Sequence, residues 1–175
     1  QGQRQQGQQE QQGQEQQGVP GVSAWMLECA AGSGNLELLR WLAARAADCG
    51  AWSAAVFSRA AHAGCEEVLE WLAGQGCPIA QGEQGRGYYL AAVRGDLATL
   101  RCLKRLGYPW GRYGRVFTSS VRQPAPLAAL QCLLEEGCPV DWGQAVAAAA
   151  EEAEGAGEES EKRRTLEWLT RQLPK

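Results

Sequence analysis

The sequence predicts an all-α protein built as a solenoid of about five stacked helix-turn-helix repeats. The first observation is self-similarity, because one leucine position recurs at spacings of 30, 31, 30 and 36 residues, as Leu42, Leu72, Leu103, Leu133 and Leu169. The second is a one-sided apolar pattern around these leucines, which is typical of a short helix with one buried face. The third is that glycine and proline, which end helices, recur at fixed positions relative to the leucines. Such a period indicates stacked units, since each helix pair must bury its apolar face against a neighbour.

The stretch from Ala60 to Ile79, AAHAGCEEVLEWLAGQGCPI, is the clearest copy of this unit. One valine and two leucines fall on a single helical stripe, and glutamates fill the opposite side. Gly64 precedes this helix, and Gly76 and Pro78 follow it. Glycine accepts the left-handed conformation that stops a helix, and proline cannot continue one. Each repeat is therefore predicted to be a hairpin of two helices.

The repeats fill the chain after a low-complexity start. Residues 1–21 form a Gln/Gly-rich tail with 11 glutamines and almost nothing that a core could bury, so we predict that this tail is disordered. Five repeats follow, at about residues 22–52, 53–80, 81–110, 111–140 and 141–175. Because the last leucine spacing is the longest, we assign its extra residues to an exposed, mobile acidic insertion at residues 151–162.

The hairpins carry side chains that suit the start of a helix. Ser, Asn and Asp oxygens accept a backbone N–H of the first turn, and the candidates are Ser33 or Asn35, Ser53, Asp96 and Asp141. The fourth repeat differs, since Pro124 and Pro126 replace the glycine turn and can occupy the start of the following helix.

A buried seam between repeats is predicted from Leu-x-x-Leu pairs in the second helix of each hairpin. The pairs are Leu39/Leu42, Leu69/Leu72, Leu100/Leu103 and Leu130/Leu133. Stacked repeats bury such residues between adjacent units, so each pair is expected to be almost fully buried.

The cysteines predict a reducing environment. There are seven, an odd number spread at about one per repeat, which argues against a disulfide framework. Cys102 and Cys132 stand at the repeat position that Trp41 and Trp71 occupy elsewhere, as packing residues would. We therefore expect free thiols and an intracellular, cytoplasmic location.

Composition sets the outer bounds of function. The 175 residues include 17 basic and 20 acidic side chains, and the net charge of −3 is too mild to indicate a nucleic-acid or membrane partner by itself. No apolar run approaches the roughly 20 residues needed to span a bilayer, and the chain does not start with the layout of a secretory signal. We expect a soluble chain without a membrane partner. Because it begins with Gln1, we also expect it to be part of a larger protein or a processed product.

Two short motifs suggest a family. AAHAG at Ala60–Gly64 and AAVRG at Ala91–Gly95 are each followed by a helix rich in leucine or valine and then by GCP or GYP. The chain from about Val22 to Lys175 thereby resembles the ankyrin-repeat family, in its divergent form with Gly-Cys-Pro in place of Gly-Ala-Asp. The Thr-Pro-Leu-His tetrapeptide of typical repeats is absent from every copy, and a solenoid of generic antiparallel helix pairs is the alternative fold. The resemblance implies a protein-interaction scaffold without catalytic activity.

Catalytic and metal chemistry have little support in the sequence. His62 and Cys65 are spaced as a base and a thiol nucleophile could be, but a glycine turn separates them and no Asp or Asn is evidently placed to orient the imidazole. Zinc-site spacing is missing, and the glycines from Gly82 to Gly87 lack the order of a dinucleotide-binding loop. We predict no enzymatic activity, no metal, no cofactor and no small-molecule substrate; a Cys-His hydrolase is the third hypothesis, behind two binding functions.

The middle of the chain is the candidate binding region. Between Gln81 and Ala125 eight basic residues stand against Glu83 and Asp96, so this stretch carries +6 and the remainder −9. Arginine with exposed aromatic residues is typical of a binding surface. We predict that an acidic segment of another protein binds on or beside the connecting loops, at Arg86, Tyr88, Tyr89, Trp110, Arg112 and Tyr113. The alternatives are a nucleic-acid-binding repeat array that uses the same basic repeats, and a basic surface without a partner.

A second basic group lies on the following helix. Arg101, Lys104 and Arg105 are spaced to share one helix face, where like charges repel one another. We expect this face to point outward, to have no acidic neighbour that neutralises it, and to take no part in binding.

Overall fold

The computed structural model describes residues 21–46, 52–79, 85–155, 157 and 160–173. These residues form ten α-helices and no β-strand, which confirms the all-α class. The helices are α1 (Ala24–Ser33), α2 (Leu36–Arg45), α3 (Ala54–Ala63), α4 (Glu66–Gly74), α5 (Arg86–Arg94), α6 (Leu97–Arg105), α7 (Arg115–Arg122), α8 (Leu127–Glu135), α9 (Trp142–Ala153) and α10 (Glu161–Gln172). The predicted tail lies outside the described residues apart from Gly21.

The helices form pairs that contact one another in order. Each odd-numbered helix, here called a first helix, packs against the even-numbered helix that follows it, here called a second helix. Successive first helices also contact one another from α1 to α9, and α4, α6 and α8 do the same. The first helices therefore form one layer, and these second helices lie in another.

The turn inside a pair depends on glycine. The residues that end α1, α3 and α5 have φ near 70° or above, and they are Gly34, Gly64 and Gly95. The predicted N-caps Asn35, Asp96 and Asp141 each accept a hydrogen bond from the backbone N–H three residues later. Ser53 occupies the N-cap position of α3 without a side-chain hydrogen bond to the helix. Most of the predicted caps are thus confirmed.

The end of a second helix is built in the same way three times. A glycine with positive φ follows α4, α6 and α8, namely Gly76, Gly107 and Gly137. The next residue then donates its backbone N–H to a seam leucine carbonyl at 2.9 to 3.0 Å, in the pairs Cys77/Leu72, Tyr108/Leu103 and Cys138/Leu133. This is a Schellman cap, and its three copies begin three equivalent connecting loops.

The core consists of two rows of large side chains. All eight leucines of the predicted Leu-x-x-Leu pairs are 0 to 4% exposed, which confirms their burial. A second row runs along the first helices, where Leu27, Phe57, Tyr88 and Phe117 are each 0% exposed. Alanines beside these positions allow neighbouring first helices to approach closely, because a methyl side chain occupies little of the space between them.

The six cysteines within the described residues are free thiols, as predicted, and Cys49 lies outside those residues. Cys102 and Cys132 are buried, in agreement with a packing role. Burial also raises the pKa of the Cys77 thiol to about 11 and that of the Cys138 thiol to about 12. These two thiols therefore stay protonated near neutral pH and are poor nucleophiles.

The predicted acidic insertion at residues 151–162 is only partly a loop. Its first three residues complete α9, because the preceding run of alanines favours continuation of the helix, and Glu161 begins α10. Residues 156, 158 and 159 lie outside the described part.

No helix within the described residues is both long enough and apolar enough to cross a membrane.

Candidate binding surface

The structure places the six predicted binding residues in three environments. Arg86 and Tyr89 line a surface cleft, and Arg112 and Tyr113 lie in the exposed loop before α7. The other two, Tyr88 and Trp110, pack against the core. The predicted set is therefore not one contiguous group of exposed side chains.

Tyr88 and Trp110 hold the hairpins together instead of facing solvent. The Tyr88 ring stacks on the Trp110 ring with centroids 3.7 Å apart, and the Tyr88 hydroxyl donates to the Tyr108 carbonyl at 3.0 Å. Desolvation raises the pKa of this hydroxyl well above its usual value. The prediction that Tyr88 is a surface anchor is wrong, because the side chain is 0% exposed. Trp110 is half-buried, with only part of its ring open to solvent.

A cleft between α5 and α7 contains three basic side chains of the first helices. It has a volume of about 460 Å³ and is lined by Arg86, Tyr89, Arg115, Val116, Ser119, Arg122 and Gln123. We call this the basic cleft. Three arginines line it, and no acidic side chain is among its described lining residues. Such a site attracts carboxylates or phosphates, which arginine binds through paired hydrogen bonds.

Two Gly-Arg pairs at equivalent repeat positions place Arg86 and Arg115 in the basic cleft. Gly85 and Gly114 cap α5 and α7 with φ of 67° and 65°, so that Arg86 and Arg115 become the first residues of the two helices. A side chain at Gly85 would clash with the Trp110 carbonyl, and at Gly114 it would lie 2.7 Å from the Asp141 backbone nitrogen. Close stacking on the next hairpin therefore requires glycine, and it fixes where both arginines begin.

These two arginines occupy positions that do not favour helix stability. The N-terminus of a helix carries a partial positive charge, and a cation there is less favourable than a neutral residue. Arg86 makes no ion pair with another described residue. A charge placed against the helix dipole in two consecutive repeats indicates a role other than folding.

The loop before α7 presents the most exposed aromatic side chain within the described residues. Tyr113 is 80% exposed and has a φ of 61°, the left-handed conformation that a tyrosine rarely adopts. Arg112 beside it is exposed as well, and two residues later the chain reaches Arg115 in the basic cleft. Strained, exposed positions of this kind concentrate at binding sites.

The second-helix face, defined by Arg101, Lys104 and Arg105 on α6, does have acidic neighbours. Arg105 forms an ion pair with Glu70 of α4, and Arg101 lies 3.8 Å from a carboxylate oxygen of Glu136. The Lys104 ammonium lies 5.6 Å from the centre of the Trp110 ring. Our expectation that nothing neutralises this face is wrong, because neighbouring repeats supply charges that are distant in sequence.

The two residues of the hypothetical Cys-His pair contact different parts of the structure. The Cys65 thiol donates to the Gly34 carbonyl of the preceding hairpin at 3.4 Å. His62 lines a second groove of about 340 Å³, together with Glu28, Ala55, Ser58, Arg59 and Arg86. Arg86 thus lies between two grooves on the layer of first helices, and the thiol contributes to repeat stacking.

Five of the seven residues that line the basic cleft are absent from the predicted set. Arg115, Ser119 and Arg122 are spaced to form one stripe on α7, a pattern that the sequence already contains. The recurrence of Gly-Arg at 85–86 and 114–115 is a second signal. Repeat register reveals both signals, whereas aromatic content reveals neither.

Comparison of the chain with protein-family models, with curated proteins and with solved structures finds no match. Within the described residues no group of three or more His, Cys, Asp or Glu side chains is placed to hold a metal ion. The surface therefore has to be interpreted from its own geometry.

Proposed function

We propose that this chain is an ankyrin-like repeat solenoid that acts as a non-catalytic protein-interaction module within a larger, cytoplasmic protein. Five helix pairs in sequential contact and three equivalent Schellman caps support the repeat architecture. The basic cleft is the observation that carries the function. Its three arginines line one cleft with no acidic side chain among the described lining residues, and Arg86 makes no ion pair with a described residue. Arg101 and Arg105 of the second-helix face instead have acidic neighbours.

The partner in this proposal is an acidic segment of another protein. Arginines of the basic cleft bind its carboxylates and set its orientation and association rate, as complementary charges do at interfaces. Tyr89 lines the cleft, and Tyr113 in the adjacent loop supplies an exposed ring that a partner can bury. Aromatic and arginine side chains contribute most of the binding energy at many interfaces.

Nucleic acid is the less favoured partner. A long strand needs a continuous basic track or a row of exposed rings on which bases stack. The basic groups here are split between two faces, and one of these groups is ion-paired. The repeat position of Trp41 and Trp71 is taken by the buried Cys102 and Cys132 in the next two repeats, so no row of rings forms there.

A binding assay with the full chain tests the proposal. The cleft variant Arg86→Glu with Arg115→Glu is compared with the control Arg101→Glu with Lys104→Glu, and thermal unfolding verifies that both remain folded. The ligand is a fluorescent glutamate-rich peptide, measured beside a single-stranded RNA and a DNA duplex at several salt concentrations.

We expect the peptide to bind the wild type and the control, and the cleft variant to bind it at least tenfold more weakly. Stronger binding of RNA or DNA than of the peptide, with a steep loss of affinity as salt rises, would favour the nucleic-acid function. Equal peptide binding by the two variants would rule out the basic cleft as the site.

A further inference from the structure

A carboxylate of this chain lies beside Arg122, at one end of the basic cleft. Arg122 lies at the C-terminal end of α7, and a terminal nitrogen of its guanidinium is 3.6 Å from Oε2 of Glu151 on α9. Both side chains are well exposed, at 57% and 64%. The cleft therefore has two unlike ends, since Arg86 has no ionic partner among the described residues, whereas Arg122 has one.

The Arg122–Glu151 pair is weak enough for another carboxylate to replace Glu151 at Arg122. An exposed ion pair contributes little to stability, because water and salt screen the charges and two long side chains lose freedom. Glu151 is anchored on a helix that packs against α7, so its carboxylate stays near Arg122 at a high local concentration. An incoming carboxylate must therefore compete with it.

We propose that Glu151 is a built-in competitor that weakens binding of acidic segments to the basic cleft, and that a bound partner displaces it from Arg122. The inference rests on the proposed function, since it concerns regulation of the same site. A partner carboxylate pairs with Arg122 in the bound state, and Glu151 returns to solvent. Affinity is thereby held below the value that three arginines would give alone.

The neighbouring residue provides a matched control. Glu152 belongs to the same helical turn and has the same charge, but its carboxylate binds the Lys162 ammonium at 2.8 Å. It lines a different small cavity, together with Val121, Ala149 and Lys162. Replacing either glutamate removes one negative charge from α9, and only Glu151 contacts an arginine of the cleft.

The experiment measures the affinity of the glutamate-rich peptide for Glu151→Gln, Glu152→Gln, Arg122→Gln and the double variant Arg122→Gln with Glu151→Gln. We expect Glu151→Gln to bind about two- to fivefold more tightly than the wild type, as the loss of a weak competing pair allows. Glu152→Gln should change the affinity by less than about half of that effect. In the Arg122→Gln background, Glu151→Gln should give little further gain, because the competition acts through Arg122.

Two results overturn the inference. One is unchanged or weaker binding by Glu151→Gln, and the other is an equal gain from Glu152→Gln, which would indicate a general charge effect. Failure of the proposed function looks different, because the peptide would then not bind the wild type, or would bind the Arg86→Glu with Arg115→Glu variant equally well.

Discussion

The two faces of the middle repeats carry similar numbers of basic side chains, but these side chains differ in their acidic neighbours. On the second-helix face, acidic residues from the preceding and following hairpins lie beside Arg101 and Arg105. On the first helices, Arg86, Arg115 and Arg122 line a cleft with no acidic side chain among its described lining residues, and Glu151 lies beside Arg122 at one end. A count of charges along the chain cannot separate these cases, because the neutralising residues come from other repeats.

This difference in surroundings also separates basic side chains that contribute to stability from those that are available for binding. Ion pairs between repeats fasten the second helices to one another, although each exposed pair contributes only about 0 to 1 kcal/mol. Arg122 and Glu151 form such a pair between two first helices, but α5 and α7 also carry cations at their N-termini, where the dipole opposes them.

The largest effect should come from breaking the backbone that positions the basic cleft. Gly85→Ala forces a side chain into a left-handed position and against the Trp110 carbonyl, so we expect the free energy of unfolding to fall by about 3 to 5 kcal/mol. Gly107→Ala is the matched control, with a φ of 74° and nothing within 4 Å of the added methyl group. It should cost only about 1 to 2 kcal/mol in urea unfolding. Equal losses would show that close stacking at Gly85 is unimportant.

The leucine seam supports both faces, and its loss should weaken them together. Leu100→Ala removes a side chain that is fully buried, and we expect a cost of about 2 to 4 kcal/mol because a cavity remains. Leu38→Ala, at a position that is 42% exposed, serves as the control and should cost less than about 1 kcal/mol. Chemical denaturation measures both variants, and a small effect at Leu100 would contradict a continuous seam.

Replacing Tyr113, in the loop beside the cleft, should raise stability and lower the affinity for the peptide. Tyr113→Gly relieves the left-handed strain, so we expect stability to rise by up to about 1 kcal/mol while affinity for the glutamate-rich peptide falls. Tyr113→Asn is the control for conformation, because asparagine tolerates positive φ but has no ring. A stable variant with unchanged affinity would remove Tyr113 from the binding surface.

The smallest effect contrasts the two groups of arginines directly. Arg86→Gln with Arg115→Gln should leave stability unchanged or raise it by a few tenths of a kcal/mol, since each removes a cation from a helix N-terminus. Arg101→Gln with Arg105→Gln should lower stability by roughly 0.5 to 1 kcal/mol, because two cross-repeat ion pairs are lost. Thermal unfolding at low ionic strength measures the difference, and the reverse order would contradict the division of roles.

Much of the fold follows from local patterns in the sequence. Each Leu-x-x-Leu pair and each glycine turn lies within a single hairpin, so the burial of the leucine seam and the helix ends were predictable. The burial of Tyr88 was predictable too, because Leu27, Phe57, Tyr88 and Phe117 recur at spacings of 30, 31 and 29. An alignment of the repeats on that row places Tyr88 in the core and Tyr89 on the side that faces solvent.

The binding surface was less predictable because it depends on contacts between hairpins. The Arg105–Glu70 pair joins residues 35 positions apart, and no local pattern indicates which side chains meet at that distance. Pairing of Arg122 with Glu151 depends in the same way on how α9 packs against α7. The exposed charge of this chain is therefore set by the packing between helix pairs as much as by composition.

Hydrogen–deuterium exchange with the bound glutamate-rich peptide shows which of the two faces the ligand covers. We predict slower exchange of backbone amides at the start of α5, in α7 and in the loop before α7, with α6 and α8 unchanged. The protection should disappear in Arg86→Gln with Arg115→Gln and persist in Arg101→Gln with Arg105→Gln. Protection of α6 and α8 with none at α5 and α7 would contradict the account.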